Sequence, residues 1–169
     1  MGGAAIDRDG QQAVGVHDQA DLALLDPGVG VDPAGDPQLA ADALGCEVGA
    51  IANSLLFAAV PLDASTSDGP APLLLLTSGA HRVDTAKVAA ELGVEKLGRA
   101  TPEFVRSHTG QVIGGVSPIG HPSPVPTYID PWLRNHDEVW AAAGHPAAVF
   151  SSTFDELVAM TGAREIEVA

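Results

Sequence analysis

Two dense apolar runs dominate the chain: Asn53–Val60, which holds Leu55, Leu56, Phe57 and Val60, and Pro72–Thr77, with leucine at every position from 73 to 76. Apolar runs this short, bounded by Pro, Ser, Asp and Gly, read as buried strands. Residues 61–71 between them read as a loop. Elsewhere the spacing is helical and the punctuation clear. Asp36-Pro37 opens a helix whose stripe is Leu39, Ala40, Ala43 and Leu44 and which Gly45 stops. A helical turn follows over Glu47–Ala52. Asp84 caps a helix through Leu92, with Val83, Val88 and Leu92 on its apolar side and Gly93 beyond its end. Lys96–Arg99 is a brief strand, and Thr101-Pro102-Glu103 starts a helix that closes at Gly110.

Gln111–Pro124 is punctuated by Gly, Pro and Ser and reads as a loop with a special backbone. Val125–Asp130 reads as a strand, Pro131–Asn135 as a turn or short helix, and Val139–Ala142 with Ala147–Ser151 as a hairpin. Ser152-Thr153-Phe154-Asp155 has the form of a capping box and starts a last helix ending near Gly162. Ile166–Val168 reads as a final edge strand. Residues 1–35 are rich in Gly, Ala and Asp without periodicity and form a weakly specified N-terminal segment; the domain proper spans 36–169. Short strands interleaved irregularly with short helices predict an α/β (α+β-like) fold, a mixed, barrel-like sheet flanked by short helices rather than a doubly wound parallel one.

Composition narrows this picture. The 169 residues suit one domain, and 46% hydrophobic content suits a substantial core. Aromatics are only 4%, so the core is aliphatic and stacking platforms are few. Cys46 is the sole cysteine, which excludes an internal disulfide and a multi-cysteine metal site. No signal-like N-terminus and no bilayer-length apolar run is seen. A cytoplasmic protein without a membrane partner is expected. The net charge of −14 argues against broad nucleic-acid affinity. Its distribution is uneven: residues 1–68 carry eleven acids and one base, whereas five of the eight bases (Arg82, Lys87, Lys96, Arg99 and Arg106) fall between 82 and 106. That cluster is either a local basic face or a solvated helix surface.

The richest chemical segment is Gly114-Gly115-Val116-Ser117-Pro118-Ile119-Gly120-His121. Such a loop can present backbone N–H groups to a carbonyl or an oxyanion, or be a plain surface turn. His121 can serve as an acid, a base or a donor, or be a polar surface residue. Asn53 and Ser54, polar at the start of a buried strand, either face a cleft or pair locally. Ser78-Gly79 ends the second strand. Asp130 ends another before Pro131, as a turn cap or a cleft carboxylate. Cys46 reads as a small buried hydrophobe rather than a nucleophile. The other histidines share no ligand spacing, so no metal is assigned.

These segments, in order, resemble the YbaK/prolyl-tRNA-editing family. The matching pieces are Leu44-Gly45-Cys46, Ile51 through Phe57, Leu75-Leu76-Thr77-Ser78-Gly79 with Arg82-Val83-Asp84, and Leu92-Gly93. Gly110 with Gly114 through His121 follows, then Val125-Pro126 with Asp130, Glu138 through Gly144, Ala148-Val149-Phe150, Glu156-Leu157 and Thr161-Gly162-Ala163. The series runs unbroken from about residue 36 to the end. The resemblance implies a barrel-like mixed sheet with a pocket against the Gly-rich loop and removal of a wrongly attached Ala, Ser or Cys from tRNA. It implies no metal or organic cofactor. Mischarged tRNA is the implied partner, and a prolyl-tRNA synthetase a possible second. By the resemblance Asn53, Gly115 and His121 take catalytic positions, and Ser54, Ser78, Gly79, Gly114, Pro118 and Asp130 bind substrate.

Two departures accompany it. Many editing members carry a lysine, important for activity, where this chain has Asn53; an amide can hydrogen-bond an ester carbonyl or a ribose hydroxyl but cannot supply a point charge near phosphate. The helix and strand with which the family usually begins are not recognisable in 1–35. Beside the editing hydrolase stand two alternatives: a catalytically lapsed module of the same fold that binds an aminoacyl end, a small metabolite or a synthetase, and a hydrolase of a non-tRNA acyl ester.

Overall fold

A computed structural model describes residues 36–63, 65, 68–145 and 147–169, together with the backbone of 22–24. Its helices form where the punctuation predicts, because each has both ends satisfied. Helix α1 (Pro37–Leu44) starts at Asp36, whose side chain accepts the Gln38 N–H, and ends at Gly45, which takes the left-handed conformation at φ 69°. Helix α2 (Thr85–Leu92) has the same design, with Asp84 accepting the N–H groups of Ala86 and Lys87. Helix α3 (Pro102–Thr109) is capped by Thr101 and ends at Gly110. Helix α4 (Phe154–Thr161) starts one residue later than the sequence pattern placed it: Thr153 and Glu156, not Ser152 and Asp155, form the reciprocal capping box.

Among the described residues, eight strands form one mixed sheet: β1 (Leu22–Leu24), β2 (Ile51–Pro61), β3 (Ala71–Ser78), β4 (Val94–Arg99), β5 (Thr127–Ile129), β6 (Val139–His145), β7 (Ala148–Ser152) and β8 (Arg164–Glu165). The order is β1-β7-β6-β2-β3-β5-β8, with β4 attached to β2 outside that path. Most strands match the expected segments. Strand β2 begins two residues earlier than expected, because Ile51 and Ala52 pair with Trp140 and Ala141. The expected edge strand Ile166–Val168 is replaced by β8 just before it. Ile166 and Val168 are instead buried anchors, and the Val168 carbonyl accepts the Asp84 N–H at 2.7 Å. The N-terminal expectation lies outside the described residues except at 22–24, where a short strand pairs with β7.

Alternation along the central strands builds two cores. Leu74 and Leu76 with Ala52 and Leu56 face α3, α4 and the loop residue Val116; Leu73 and Leu75 with Phe57 and Ala59 face α2 and the C-terminal tail. A run of four leucines is therefore one strand buried on both faces. A smaller cluster of Ala40, Ala41 and Ile51 with Trp140 and Val149 seats α1. Among the described residues, no helix is long and apolar enough to cross a membrane.

Candidate active site

The sheet forks in the middle of β2. One edge of this strand pairs with β3 along Ala52–Ala59. The other edge pairs with β6 only at Ile51 and Ala52, and with β4 only from Phe57 to Pro61. Residues 53–56 are thus left without a strand on that side, and a cleft opens there, enclosing about 490 Å³ of open space with its solvent mouth. Asn53, Ser54 and Leu55 form its floor. Trp140 and Ala142 of β6, Val149 of β7 and Ala40 of α1 wall it, and Gly114 and Val116 close it from the loop.

Its polar groups are left without partners. The Ser54 hydroxyl is buried and makes no hydrogen bond to the protein. A buried polar atom left this way costs about 1–3 kcal/mol, so it is rarely retained without a use. The Asn53 amide makes no hydrogen bond to a described residue either.

The loop 111–126 owes its shape to Gln111. The Gln111 Oε1 accepts the Ser117 N–H at 2.6 Å, and its Nε2 donates to the Ile119 carbonyl at 3.3 Å. Ser117 Oγ accepts the Ile119 N–H, and His121 Nε2 donates to the Ser117 carbonyl at 2.8 Å. Left-handed glycines at Gly114 (φ 91°) and Gly120 (φ 83°) make the bends, where a side chain would be strained. Gly115 to Pro118 are buried. The Gly115 N–H is occupied by the Val112 carbonyl at 3.2 Å. Gly114 and Val116 both line the cleft, and their N–H groups are bonded to no described residue.

Of the residues singled out in the sequence, Asn53, Ser54 and Gly114 therefore meet in the cleft. Gly115 and Pro118 are buried in the loop behind it, and His121 braces that loop. Ser78, Gly79 and Asp130 lie elsewhere, where β3 and β5 end. Asp130 is 1% exposed; its carboxylate accepts the N–H groups of Ser78 (3.1 Å) and Trp132 (2.9 Å) and meets His81 Nδ1 at 2.7 Å. Ser78 Oγ donates to the Gly49 carbonyl, and the Gly79 N–H to the Ile51 carbonyl, both at 2.8 Å. A Cβ on Gly79 would sit 2.4 Å from the Val48 carbonyl oxygen. Cys46 packs in the α1 cluster, and burial, then the nearby Glu138 and Glu47, push its thiol pKa up, away from a nucleophilic thiolate.

Sequence reasoning missed Gln111 and the cleft walls. The one local signal for Gln111 is a polar residue placed directly after a helix-ending glycine and before a glycine-rich run. Nothing local marks Trp140, Ala142 and Val149, which arrive through sheet pairing.

Comparison with known proteins identifies the family. The family model of the aminoacyl-tRNA editing domain matches residues 31–160. The chain belongs to that family. The matched stretch takes in the forked strand, the Gln111-braced loop and the β6–β7 wall. A crystal structure described as a candidate trans-editing enzyme for prolyl tRNA synthetase is similar at 39% identity and TM-score 0.73, covering 87% of this chain and 84% of that one. A scaffold from computational epitope-backbone grafting is similar at 35% identity and TM-score 0.73, covering 87% and 85%. YwhH of Bacillus subtilis (strain 168) is 29% identical over 118 residues, 70% of this chain and 69% of YwhH.

Proposed function

We propose that this editing domain hydrolyses the ester between a small amino acid (Ala, Ser or Cys) and the 3′ end of a mischarged tRNA, acting as a free-standing deacylase. The observation that carries the reading is the forked cleft, a narrow, mostly apolar space lined by Ser54 with its unpaired hydroxyl, by Asn53, and by Gly114 and Val116, whose N–H groups bond no described residue. Family membership supplies the substrate class.

An aminoacyl ester is already activated. Hydrolysis requires a positioned water, addition of its oxygen to the carbonyl carbon, stabilisation of the resulting oxyanion, and departure of the ribose oxygen with a proton. The N–H groups of Gly114 and Val116 suit the oxyanion, a role in which one donor is typically worth about 3–4 kcal/mol. Since the Gly115 N–H is occupied, the carbonyl contact falls to its two neighbours. Asn53 suits the ester or a ribose hydroxyl, and Ser54 the α-ammonium or the attacking water. Ala40, Ala52 and Ala142 leave room for a small side chain, while Trp140 and Val149 limit a larger one. Such selection by size complements a synthetase, which rejects a slightly smaller amino acid poorly by binding alone.

Asn53 in place of the lysine of many members favours a second reading, a binding module that has lost hydrolysis. Deacylation of Ala-, Ser- and Cys-charged proline tRNA by the native protein and by Asn53→Lys separates the two. Clearance of one substrate by the native protein, well above buffer, is expected. Activity in the lysine variant alone would leave the binding module standing, and activity in neither would remove the deacylase.

A further inference from the structure

The end of the sheet beyond β3 and β5 carries a second group of side chains that the cleft does not use. Asp130 is locked by the Ser78 and Trp132 N–H groups and holds His81 through Nδ1. The Nδ1 proton lies in that contact, so Nε2 is left for an outside partner, and no described residue takes it. The Trp132 ring packs tilted against His81, with centroids 5.0 Å apart. Trp132 is nevertheless 47% exposed. In a chain with so few aromatics, an indole held half in solvent by a fixed histidine is not accounted for by core packing. Arg82, the next residue after His81, is exposed and forms no ion pair with a described residue.

We propose that His81, Trp132 and Arg82 form a nucleotide-holding patch that receives the single-stranded 3′ end of the tRNA next to its terminal aminoacyl group. This rests on the deacylase reading for the identity of the RNA and on this group alone for the contact. A flat ring, a hydrogen-bonding imidazole and a free guanidinium are the parts that hold an unstacked nucleotide: stacking for the base, a bond to a base edge or 2′-hydroxyl, and a cation for phosphate. The position fits. Gly79 is bonded to Ile51, which lines the cleft; β5 lies two strand spacings, about 10 Å, from β2, and the cleft opens on the far edge of β2. The single-stranded nucleotides that lead to an aminoacyl group in the cleft can reach across such a distance. The patch also answers the charge problem: a protein of net charge −14 needs its RNA contacts to be local and specific rather than diffuse.

The test is binding of an uncharged RNA stem-loop ending in single-stranded cytidine-cytidine-adenosine to the full chain, beside kinetics on charged tRNA and on an aminoacyl ester of adenosine alone. Trp132→Ala weakens RNA binding about tenfold, Trp132→Phe keeps most of it, and Arg82→Ala weakens it severalfold and flattens the logarithmic salt dependence by about one charge. Trp132→Ala raises KM on charged tRNA and on the adenosine ester, and raises it more than it lowers kcat. Native-like RNA binding by both Trp132→Ala and Arg82→Ala overturns the patch, as does absence of RNA binding by the native protein. Should charged tRNA be cleared while the variants keep native KM, the deacylase stands and the patch falls. Should no charged tRNA be cleared while RNA binding depends on Trp132, the patch stands and the deacylase falls.

Discussion

Two polar clusters sit at strand ends in this molecule, and they are opposites. At the end of β3 and β5, Asp130 and Ser78 are buried and their side chains are answered: two backbone N–H groups and an imidazole on the carboxylate, a carbonyl on the hydroxyl. At the fork of β2, the Asn53 and Ser54 side chains have no partner among the described residues, nor do the N–H groups of Gly114 and Val116 in the neighbouring loop. In sequence the two look alike, a polar pair where an apolar strand begins or ends. Their difference is one of satisfaction. The first set spends its hydrogen-bonding capacity on holding β2, β3 and β5 in register, and the second keeps it for something else. A closed network of this kind specifies a fold, whereas open polar groups in a cleft mark a site.

The comparison breaks most visibly at the closed cluster. Gly79→Ala drives a Cβ into the Val48 carbonyl oxygen, backbone against backbone, and little folded protein is expected on expression and size exclusion. Asp130→Ala leaves two buried N–H groups unpaired and should cost about 3 kcal/mol or more, read as a shift in the urea midpoint. Gln111→Ala falls between the two classes. It removes the brace of the loop without touching the cleft, so deacylation should drop on the order of tenfold to a hundredfold. The accompanying stability loss is about 1–2 kcal/mol. Ser54→Ala should show the opposite balance: activity lost, with stability unchanged or raised by up to about 1 kcal/mol, since a buried hydroxyl without a partner is removed. Thr153→Ala, remote from both clusters, calibrates the scale. Loss of its capping box should cost about 1 kcal/mol and leave deacylation rates intact.

How much of this was legible beforehand follows the range of the interactions. Helix ends were, because a cap is decided within four residues: Asp36, Asp84 and Thr101 at one end and Gly45, Gly93 and Gly110 at the other lie where the sequence puts them. The turn expected over Glu47–Ala52 is shorter, Val48–Ala50, because Ile51 and Ala52 join β2, and Thr153 caps the last helix in place of Ser152 because adjacent residues both fit the capping pattern and only the capping bonds decide between them. The leucine strand was legible as buried. The fork was not, since it depends on where β6 leaves β2 and β4 joins it, pairings that link residues far apart in the chain. Asn53, Ser54 and the Gly-rich loop could be marked as candidates from residue type, but their satisfaction could not be read. For the same reason Asp130 and Ser78 stood beside them in the sequence and stand apart from them in the fold, and Gln111 drew no notice.

The central claim is that the unpaired groups of the fork are the site of ester hydrolysis. Single-turnover deacylation of alanyl-charged proline tRNA, run with the native protein and Ser54→Ala at matched thermal stability, tests it most directly. The account predicts hydrolysis by the native protein well above the buffer rate and a loss of about tenfold or more in the variant with an undiminished melting temperature. Equal rates for the two proteins, or a native rate no faster than buffer, would contradict it.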